Sequence, residues 1–411
     1  MNHVVVMVTT SFPRFPGDNV GTFMEPIAAG VAQRGHEVHI VAPWHPLIRR
    51  ASEERGVRFH FYRYAPVLAL NVFGYAEAMH ADVRVRGTGY LVAPLALMQG
   101  WRAARAVARA HRATVMHGHW VVPGGITAAL AAPHLPLVIS LHGSDVFVAE
   151  KLAVARTAAR AAFRRAGAIT SCSEDLARRA VAIGAEPSRV DVVPYGVDPN
   201  RFKPDGDARR TIRSAIGLED DRLLVFAAGR LVRKKGFEYL VEAMAALPTE
   251  IPAVLAIGGT GDLERELKDR ASRADPRRIR LLGNLTQDHV AQYLAAADIV
   301  VVPSVRDEAG NVDGLPNVVL EALASGTPLV TTSAGGIGAV VTHEETALVV
   351  PERDPSAIAQ AIVSLAGDPS RRAAIGARAR ALIRDRFGWS RTADRLEAAY
   401  DRALALKSRE R

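Results

Sequence analysis

A single cysteine, Cys172, is present in this chain of 411 residues. An internal disulfide is therefore excluded, and so sparse a use of cysteine is typical of proteins from a reducing compartment. Because the residue follows an apolar run at 168–171, it is predicted to pack as a small hydrophobic side chain. A disulfide scaffold or a dithiol redox centre is thus not the basis of this protein.

Long hydrophobic runs are a second absence. No stretch reaches the roughly 20 apolar residues that a bilayer-spanning helix needs. The apolar start at residues 4–8 leads into a Phe-Pro-rich turn and lacks the basic segment and cleavage site of a signal peptide. Hydrophobic residues make up 49% and charged residues 23% of the chain, as in soluble globular proteins. We therefore expect a cytoplasmic protein.

Lysine is scarce as well, since it supplies 6 of the 52 basic side chains. The net charge is +9, and residues 1–200, with 21 basic and 14 acidic side chains, carry +7 of it. Basic and aromatic residues alternate at 48–50 and 58–63, and 151–165 has the pattern of a basic amphipathic helix. These segments suit anionic lipid at the inner face of a membrane, although solvated helix faces explain them equally well. Nucleic acid is not expected, because no recognised binding motif accompanies the charge.

Short apolar runs alternate with helical patterns along the whole chain. This alternation predicts two doubly wound α/β domains, each built on a parallel sheet. The break lies near Pro199, Pro204 and Gly206, which suit a linker. The predicted domains are 1–198 and 199–386, followed by a C-terminal helical segment at 387–411. The predicted strands are 4–8, 38–41, 115–117, 137–141, 168–171, 190–193, 223–228, 253–257, 279–282, 299–302, 329–332 and 347–350.

The segment Asp-Gly-Leu-Pro-Asn-Val-Val-Leu-Glu at 313–321 places two carboxylates around the start of a predicted helix. Gly314 permits close approach of a ligand to the backbone, and the free N–H groups at Asn317 suit a phosphate. Glu321 lies about one turn inside the helix and suits ribose hydroxyls, whereas Asp313 suits a sugar. An N-capping Asp with a solvated Glu is the simpler reading of this segment taken alone. The segment is nevertheless a candidate nucleotide-sugar site.

A second element favours the nucleotide-sugar interpretation. The predicted strand 223–228 is followed by Gly-Arg-Leu-Val-Arg-Lys-Lys-Gly at 229–236 and then by a helical pattern. In an open parallel sheet, ligands bind at the carboxyl ends of the strands, where this loop lies. Arg230 suits bidentate phosphate binding, and Lys235 suits neutralisation of a diphosphate. Both cations would stabilise a departing nucleoside diphosphate.

The segment Gly-Gly-Thr-Gly at 258–261 begins like a dinucleotide-binding fingerprint. Its third glycine is missing, because Glu264 stands at that place. We interpret Gly258 instead as part of a turn near a nucleoside. A nicotinamide-dependent dehydrogenase is disfavoured by this broken pattern.

These motifs together resemble the retaining family-4 glycosyltransferases of the GT-B type, and the resemblance runs nearly end to end. The opening segment, Thr-Ser-Phe-Pro-Arg-Phe-Pro-Gly-Asp at 10–18, is similar to members that build bacterial surface polysaccharides. The family has two Rossmann-like domains that face each other across a cleft, with closure about a double connection. The resemblance also implies that the C-terminal helix within 387–411 crosses back onto the first domain. The segments that carry the resemblance are 10–18, 140–145, 194–198, 229–236 and 313–321.

The resemblance implies a site and a reaction. A nucleoside diphosphate sugar is expected on the second domain and a saccharide or lipid-linked acceptor on the first. Transfer proceeds with retention of configuration, and neither a metal nor another cofactor is expected. The resemblance assigns His142 to the donor sugar, Gly21 to close approach of the diphosphate and acceptor, and Asn284 and Leu285 to the base. The remaining residues expected to bind the donor are Arg230, Lys235, Gly258, Gly314, Leu315, Pro316, Asn317 and Glu321.

Two positions depart from the family pattern. Asp313 stands where most members have Glu, and Glu308 in the preceding loop is an alternative first carboxylate. The family often has Gly-Gly-x-x-Glu after the next strand, whereas this chain ends the segment at Ala339. We take His142, Arg230, Lys235 and Asp313 as the candidate catalytic residues.

Alternatives from other classes remain open. A zinc site at His117, His119 and His142 is conceivable but is not needed by the family mechanism. A nucleotide-sugar epimerase shares the two-domain scaffold, and a catalytically inactive donor-binding protein would fit the shortened carboxylate at Asp313. The sugar, the base (uridine or guanosine) and the acceptor are not determined by these motifs.

Overall fold

The structure, a computed structural model, describes residues 2–409 apart from positions 19, 66, 68, 69, 72, 73, 76–78, 81–83, 86 and 220. The chain forms two compact units. The first comprises Met1–Tyr195 together with Trp389–Arg411, and the second comprises Gly196–Gly388. The chain therefore leaves the first unit once and returns to it once.

Sixteen strands are formed by the described residues. The strands of the first unit are β1 (Val4–Val8), β2 (Glu37–Pro43), β3 (Glu53–Glu54), β4 (Val57–Tyr62), β5 (Met79–His80), β6 (Arg84–Val85), β7 (Val115–His119), β8 (Leu137–Leu141), β9 (Ala168–Ser171) and β10 (Val190–Val192). Those of the second unit are β11 (Leu223–Ala228), β12 (Ala253–Gly258), β13 (Ile279–Gly283), β14 (Ile299–Val302), β15 (Leu329–Thr331) and β16 (Leu348–Val349).

Fourteen α-helices accompany them in the described part of the chain. Those of the first unit are α1 (Met24–Ala32), α2 (Gly87–Ala110), α3 (Ile126–Ala131), α4 (Ser144–Lys151), α5 (Ala153–Arg165), α6 (Glu174–Ile183) and α14 (Trp389–Arg409). Those of the second are α7 (Gly206–Ala215), α8 (Phe237–Ala245), α9 (Glu264–Ala274), α10 (Gln287–Ala296), α11 (Asn317–Ser325), α12 (Pro355–Ala366) and α13 (Pro369–Arg386).

Each unit is built on one large parallel sheet. The order in the first is β10-β9-β8-β7-β1-β2-β4-β3, parallel except for the β3–β4 pair, and the order in the second is β13-β12-β11-β14-β15-β16. The central strands are buried along their whole length because helices cover both faces, which explains their continuous Val, Ile, Leu and Ala content. The prediction of two doubly wound α/β domains is confirmed.

All twelve strands predicted from apolar runs are present, with bounds within two residues. The structure adds β4, which pairs in parallel with β2. Within the segment 58–63, for which a lipid surface and a solvated face are both open, the guanidinium of Arg58 binds Glu37 and Glu53. Arg50, in the segment 48–50, has a fully buried side chain that binds Glu25 and Glu54, so this residue faces neither lipid nor solvent.

The segment 151–165 was predicted as one basic amphipathic helix and is divided in the structure. Lys151 ends α4, Leu152 has extended backbone angles, and α5 begins at Ala153. The amphipathic pattern belongs to α5, which buries alanines and Phe163 and leaves most of its arginines outside. No described helix has the length and apolar content to cross a bilayer.

The C-terminal helix α14 packs against α1, β8 and β9 of the first unit. Its Tyr400 is fully buried, and the hydroxyl group is hydrogen-bonded to His117 Nδ1 at 2.9 Å. Small residues allow the close approach. A Cβ atom at Gly167, just before β9, would lie 2.7 Å from the Cα atom of Ala403. The last helix is therefore a core element of the first unit.

Candidate functional site

Two loops of the second unit pack directly together where β11 and β14 end. The backbone N–H of Val305 donates to the Lys234 carbonyl oxygen at 2.9 Å. Gly236 has φ +65°, and a Cβ atom there would overlap the carbonyl oxygen of Pro303. Only glycine satisfies both conditions without strain. The basic loop after β11 is thereby held against the acidic loop after β14.

The contact brings Asp313 between two lysines. Lys234 Nζ lies 3.0 Å from Asp313 Oδ1, and Lys235 Nζ lies 2.5 Å from Oδ2. The Asp313 side chain is 13% exposed, and both lysines are similarly covered. Burial alone would raise the pKa of Asp313, but the two ammonium groups outweigh it and hold that pKa well below its usual range. We call Lys234, Lys235 and Asp313 the Asp313 cluster.

The backbone behind Asp313 is fixed by the loop that follows β15. Gly335 has φ +62°, and a Cβ atom there would overlap the Asp313 carbonyl oxygen. The first glycine of the Gly-Gly-Ile-Gly-Ala segment is therefore required for packing, whatever residue ends the segment. This contact places a third loop at the same end of the sheet.

Glu308, the alternative first carboxylate, lies in an exposed turn of the same loop. The turn is closed by Asp307, whose carboxylate accepts from the backbone and side-chain amides of Asn311, both at 2.8 Å. The Asp313 carboxylate, by contrast, is held by two cations. The two candidates thus have opposite environments, and only Asp313 belongs to the cluster of charges.

Glu321 lies in the second turn of α11, which begins at Asn317 and is closed by Gly326 in the left-handed conformation. Its side chain is buried, and burial raises the pKa of Glu321 to about 7, against the opposing effect of Arg201 and Lys235. Lys235 therefore acts on both carboxylates of the 313–321 segment.

Arg230 lies on the basic loop with an exposed side chain. The preceding Gly229 has φ +156°, and the side chain of Lys235 runs past it, with Cε 3.3 Å from the position of an added Cβ atom. The backbone N–H of Leu231 donates to the Thr260 carbonyl at 2.9 Å, which fixes this loop to the one after β12. Arg230 and Lys235 are thus neighbours on one anchored loop.

The Gly258 turn joins the ends of β11, β12 and β13. Gly229 N–H donates to Gly258 O at 3.0 Å, and Gly259 N–H donates to Gly283 O at 2.7 Å. A Cβ atom at Gly258 would overlap the Leu285 side chain, so these two expected donor-binding residues are in contact. Asn284 lies between Gly283 and Leu285 in the loop after β13.

The catalytic and donor-binding residues predicted in the second unit therefore lie at one end of its sheet, in the loops that follow the strands, at the last residue of β12 or in the first two turns of α11. They are Arg230, Lys235, Gly258, Asn284, Leu285, Asp313, Gly314, Leu315, Pro316, Asn317 and Glu321. Gly314, Leu315 and Pro316 are buried and form the turn into α11. Parallel strands bring these distant sequence segments together because all their carboxyl ends share one edge.

In the first unit, His142 follows β8 and is enclosed by aromatic rings. Its Nδ1 lies 2.7 Å from the Tyr195 hydroxyl, and its Nε2 lies 3.0 Å from His119 Nδ1. The rings of Phe23 and Trp120 are each 4.7 Å away between centroids. Burial, followed by the charge of His117, lowers the pKa of His142 to about 3, so the imidazole is neutral at physiological pH.

Asp145 fixes the loop that carries His142. Its Oδ1 accepts from the backbone N–H of Gly143 at 3.0 Å and of His142 at 3.3 Å, while Oδ2 accepts from Val121 N–H at 2.8 Å. Burial raises the pKa of Asp145 in spite of these bonds, which favour the charged form. The Ser-Leu-His-Gly-Ser-Asp motif is thus a self-bonded turn that orients an imidazole.

Two other candidate residues of the first unit, Gly21 and His117, have different structural environments. Gly21 has φ +62° and its carbonyl accepts from Met24 N–H at 2.9 Å, so it forms the turn into α1, which begins at Met24. His117 uses both ring nitrogens, with Tyr400 and with Ser140 at 2.7 Å. The alternative zinc set therefore includes a histidine whose nitrogens already have partners.

Comparison with known protein families matches both units. A family described as Glycosyltransferase Family 4 matches residues 20–201, and one described as Glycosyl transferases group 1 matches residues 222–368. The chain is 34% identical to the GDP-mannose-dependent alpha-(1-6)-phosphatidylinositol monomannoside mannosyltransferase of Mycolicibacterium smegmatis, over 63% of this chain and 68% of the relative. The chain belongs to the group 1 and family 4 glycosyltransferases.

Two further relatives match different lengths of this glycosyltransferase. The D-inositol 3-phosphate glycosyltransferase of Xylanimonas cellulosilytica is 36% identical over 56% of the chain. The match covers only 55% of that relative's length. The mannosyltransferase of Mycobacterium tuberculosis that carries the same name as the M. smegmatis protein is 28% identical over 95% of the chain and 96% of the relative.

Solved structures agree with the fold. HepE of Anabaena, in complex with UDP and glucose, has a TM-score of 0.76 at 19% identity, covering 97% of this chain and 99% of its own. Sucrose-phosphate synthase of Thermosynechococcus elongatus has a TM-score of 0.79 at 21% identity, covering 98% and 100%. The glycosyltransferase therefore has the two parallel-sheet α/β units of the GT-B fold.

Two charged residues of the site were not among the predicted site residues. Lys234 stands next to Lys235 in the basic loop, and the structure gives it an equal share in binding Asp313. Arg201, which lowers the pKa of Glu321, is distant in sequence and also binds Asp288 at 2.7 Å. The scarcity of lysine was a usable signal for Lys234. The sequence contains no comparable signal for Arg201.

Proposed function

We propose that this glycosyltransferase moves a sugar from a nucleoside diphosphate sugar to an acceptor hydroxyl, with retention of configuration and without a metal. The observation that carries the proposal is the Asp313 cluster, in which two lysines and a carboxylate lie beside Glu321 and the start of α11. Such an arrangement provides cations for a diphosphate and carboxylates for hydroxyl groups at one end of a parallel sheet.

The roles follow from charge and position. Arg230 and Lys235 bind the diphosphate together with the N–H groups at Asn317, and they stabilise the charge that develops on the leaving group. When Lys235 turns to the diphosphate, Lys234 keeps Asp313 ionised, and Asp313 accepts hydrogen bonds from the donor sugar. Glu321 accepts from the ribose hydroxyls.

The acceptor step needs a proton acceptor on the face from which the diphosphate leaves. We assign that part to a diphosphate oxygen, which takes the acceptor proton while the new glycosidic bond forms on the same face. His142 is neutral and does not serve as the base; it hydrogen-bonds a sugar hydroxyl by exchanging its contact with Tyr195 or His119 for the substrate. NMR coupling constants give the anomeric configuration of the product and so test retention. A product with inverted configuration contradicts the proposal.

The relatives suggest which donor to test first. GDP-mannose stands in the names of the two mannosyltransferases, and UDP-glucose was bound in a HepE crystal structure. In a thermal-shift panel of nucleotide sugars, donors with one base, uridine or guanosine, are expected to raise the melting temperature more than donors with the other. Addition of a chelator is expected to leave turnover unchanged. Loss of turnover with the chelator contradicts metal independence.

Two rival functions are separated by product analysis. An epimerase converts the donor sugar without any acceptor, whereas an inactive donor-binding protein binds the donor and never consumes it. Incubation of the preferred donor with and without a lipid-linked or saccharide acceptor distinguishes all three. Acceptor-dependent release of nucleoside diphosphate supports transfer, and acceptor-independent isomerisation supports the epimerase.

We also propose a cytoplasmic location with peripheral contact to an anionic membrane, in glycolipid or polysaccharide assembly. The support comes from α2, where Leu95 and Met98 are exposed beside Trp101, and the guanidinium of Arg105 lies 5.8 Å from the Trp101 ring centroid. Exposed apolar residues, an indole and nearby arginines suit a lipid headgroup layer. Phosphatidylinositol in the names of relatives is consistent with a lipid acceptor.

Vesicle sedimentation tests the membrane contact. Reversal of charge at Arg102 and Arg109, which are exposed on α2, is expected to release the protein from vesicles that contain an anionic phospholipid. The control reverses Arg178 and Arg277, which are exposed elsewhere and change the net charge equally. Equal release by both double variants contradicts a surface on α2.

A further inference from the structure

Three histidines of the first unit converge beside its sheet, apart from the residues assigned to the proposed transfer reaction. His39 lies on β2, His60 lies on the adjacent parallel strand β4, and His111 follows α2, which packs on both strands. One nitrogen from each ring lies within 4.8 Å of the others. The ring centroids are 4.0 Å apart for His39 and His111, 5.2 Å for His39 and His60, and 5.6 Å for His60 and His111.

From this convergence we propose that His39, His60 and His111 form a site for one Zn²⁺ ion per chain. A tetrahedral ion with Zn–N distances of about 2.0–2.1 Å needs ligand nitrogens roughly 3.3 Å apart. Small rotations about the side-chain bonds of three neighbouring rings achieve that spacing. The site goes beyond the proposed transfer reaction, because none of its ligands belongs to the Asp313 cluster or to the donor-binding loops.

Hydrogen bonds assign the tautomers. His39 Nε2 lies 3.1 Å from the Glu37 carboxylate, which only accepts, so the proton is on Nε2 and the Nδ1 lone pair is free. That lone pair points to His60 Nε2 at 3.0 Å, and the two nitrogens share one proton. When an ion binds, the proton of His60 moves from Nε2 to Nδ1, so His60 stays a neutral imidazole and its Nε2 coordinates the ion together with His39 Nδ1.

The protonation states also suit a metal. Burial, together with the neighbouring imidazoles, lowers the pKa of His60 to about 4 and lowers that of His39 as well. Imidazole must be neutral to coordinate an ion, so these two rings need not lose a charge at physiological pH. Three imidazoles suit zinc better than calcium or magnesium, which prefer oxygen ligands.

The surroundings complete the arrangement. Glu37 holds His39 from outside, as carboxylates commonly do for zinc-bound histidines, and Arg58 in turn binds Glu37. His111 is 31% exposed, so a water molecule can fill the fourth position from that side. The ion would join the strands β2 and β4 to the end of α2 and so stabilise this edge of the sheet.

Zinc titration of the untagged full-length protein tests the site. After chelator treatment and dialysis, competition with a chromophoric chelator gives the number of ions bound and their affinity. We expect one Zn²⁺ per chain with a Kd below about 10 µM. The variants His60→Gln and His111→Ala are each expected to weaken binding by at least about 10-fold. The matched control His134→Ala removes an exposed histidine outside the cluster and is expected to bind normally.

A second readout separates binding from misfolding. Zn²⁺ is expected to raise the melting temperature of the wild type and of His134→Ala but not that of His111→Ala, whose partly exposed side chain can be removed without opening the core. Binding weaker than about 10 µM in the wild type overturns the proposal. Unchanged affinity in either His60→Gln or His111→Ala also overturns it.

Discussion

Replacement of Asp313 is expected to cost substantial stability. Asp313→Asn leaves Lys234 and Lys235 together with no carboxylate between them, and removal of one partner from a buried charge group costs about 3–5 kcal/mol. Urea unfolding at pH 7 measures the loss. Lys234→Met in the Asp313→Asn background removes one uncompensated charge, and part of the stability is expected to return.

The pH dependence at Asp313 has a definite sign. Because its folded pKa is depressed, its contribution to stability is complete above the ordinary value of 3.8 and is lost as the pH falls through the lower folded value. The stability difference between the wild type and Asp313→Asn is therefore expected to shrink only below pH 3.8. A difference that already disappears between pH 5 and pH 7 contradicts the ion pairs.

The pH dependence of stability at Glu321 has the opposite sign to that at Asp313. Its folded pKa is raised from 4.5 to about 7, so the folded state holds a proton that the unfolded state has released, and stability falls as the pH rises through that window. Glu321→Gln removes the titration, and its free energy of unfolding is expected to gain up to about 3 kcal/mol on the wild type between pH 4.5 and pH 7. Parallel pH profiles of the two proteins contradict the buried carboxyl group.

Ligand binding provides the functional counterpart for Glu321. Its ionised carboxylate accepts ribose hydroxyls, so nucleoside diphosphate affinity in the wild type is expected to weaken below about pH 7. Calorimetric titrations of Glu321→Gln at pH 6 and pH 8 control for the diphosphate's own titration. A similar change of affinity in both proteins removes Glu321 from the ribose site.

At the scale of elements, the packing of the two motif loops depends on Gly236. Gly236→Ala adds a Cβ atom both at φ +65° and against the Pro303 carbonyl oxygen. Gly217→Ala is a matched control, because Gly217 has φ +58° with nothing within 4 Å of an added Cβ atom. Both variants bear the left-handed backbone cost of roughly 1–2 kcal/mol, but only Gly236→Ala is expected to lose nucleotide affinity as well. Equal effects on affinity argue against the loop contact.

How far the sequence predicts each element depends on burial. Central strands such as β8 and β14 are buried on both faces, so their continuous apolar composition is visible in the sequence. Strand β4 is half-buried, and its alternation of Arg, Phe, His and Tyr is as typical of a surface segment as of a strand. The division at Leu152 also has no signal, because no Pro or Gly marks it.

The candidate site was likewise only partly predictable from the sequence. Each loop is recognisable from its own residues, because glycines, cations and acids cluster after apolar runs. The pairing of Lys234 and Lys235 with Asp313 depends on β14 lying next to β11 in the sheet, although β12 and β13 come between them in the chain. Local patterns contain no information on that strand order, so the sequence predicts the site's components and not its ion pairs.

For the whole molecule, the return of the chain makes the first unit depend on its last helix. Tyr400→Ala removes a fully buried ring and its hydrogen bond to His117, and a loss of about 3–5 kcal/mol is expected. Arg391→Ala, on the same helix with an exposed side chain, is the control and is expected to unfold like the wild type. Thermal unfolding of both variants checks this. A Tyr400→Ala protein as stable as the control contradicts the role of α14 in the core.

The central claim is that the loop after β11 binds the departing diphosphate, and turnover by Arg230→Ala tests it most directly. Arg230 is exposed, whereas Arg233 on the same loop binds Glu266 and Glu238 and is the matched control. Arg230→Ala is expected to lower kcat about 10- to 100-fold with an unchanged melting temperature, and Arg233→Ala is expected to keep near-normal turnover. Normal turnover in Arg230→Ala, measured with the donor that the thermal-shift panel selects, contradicts the account.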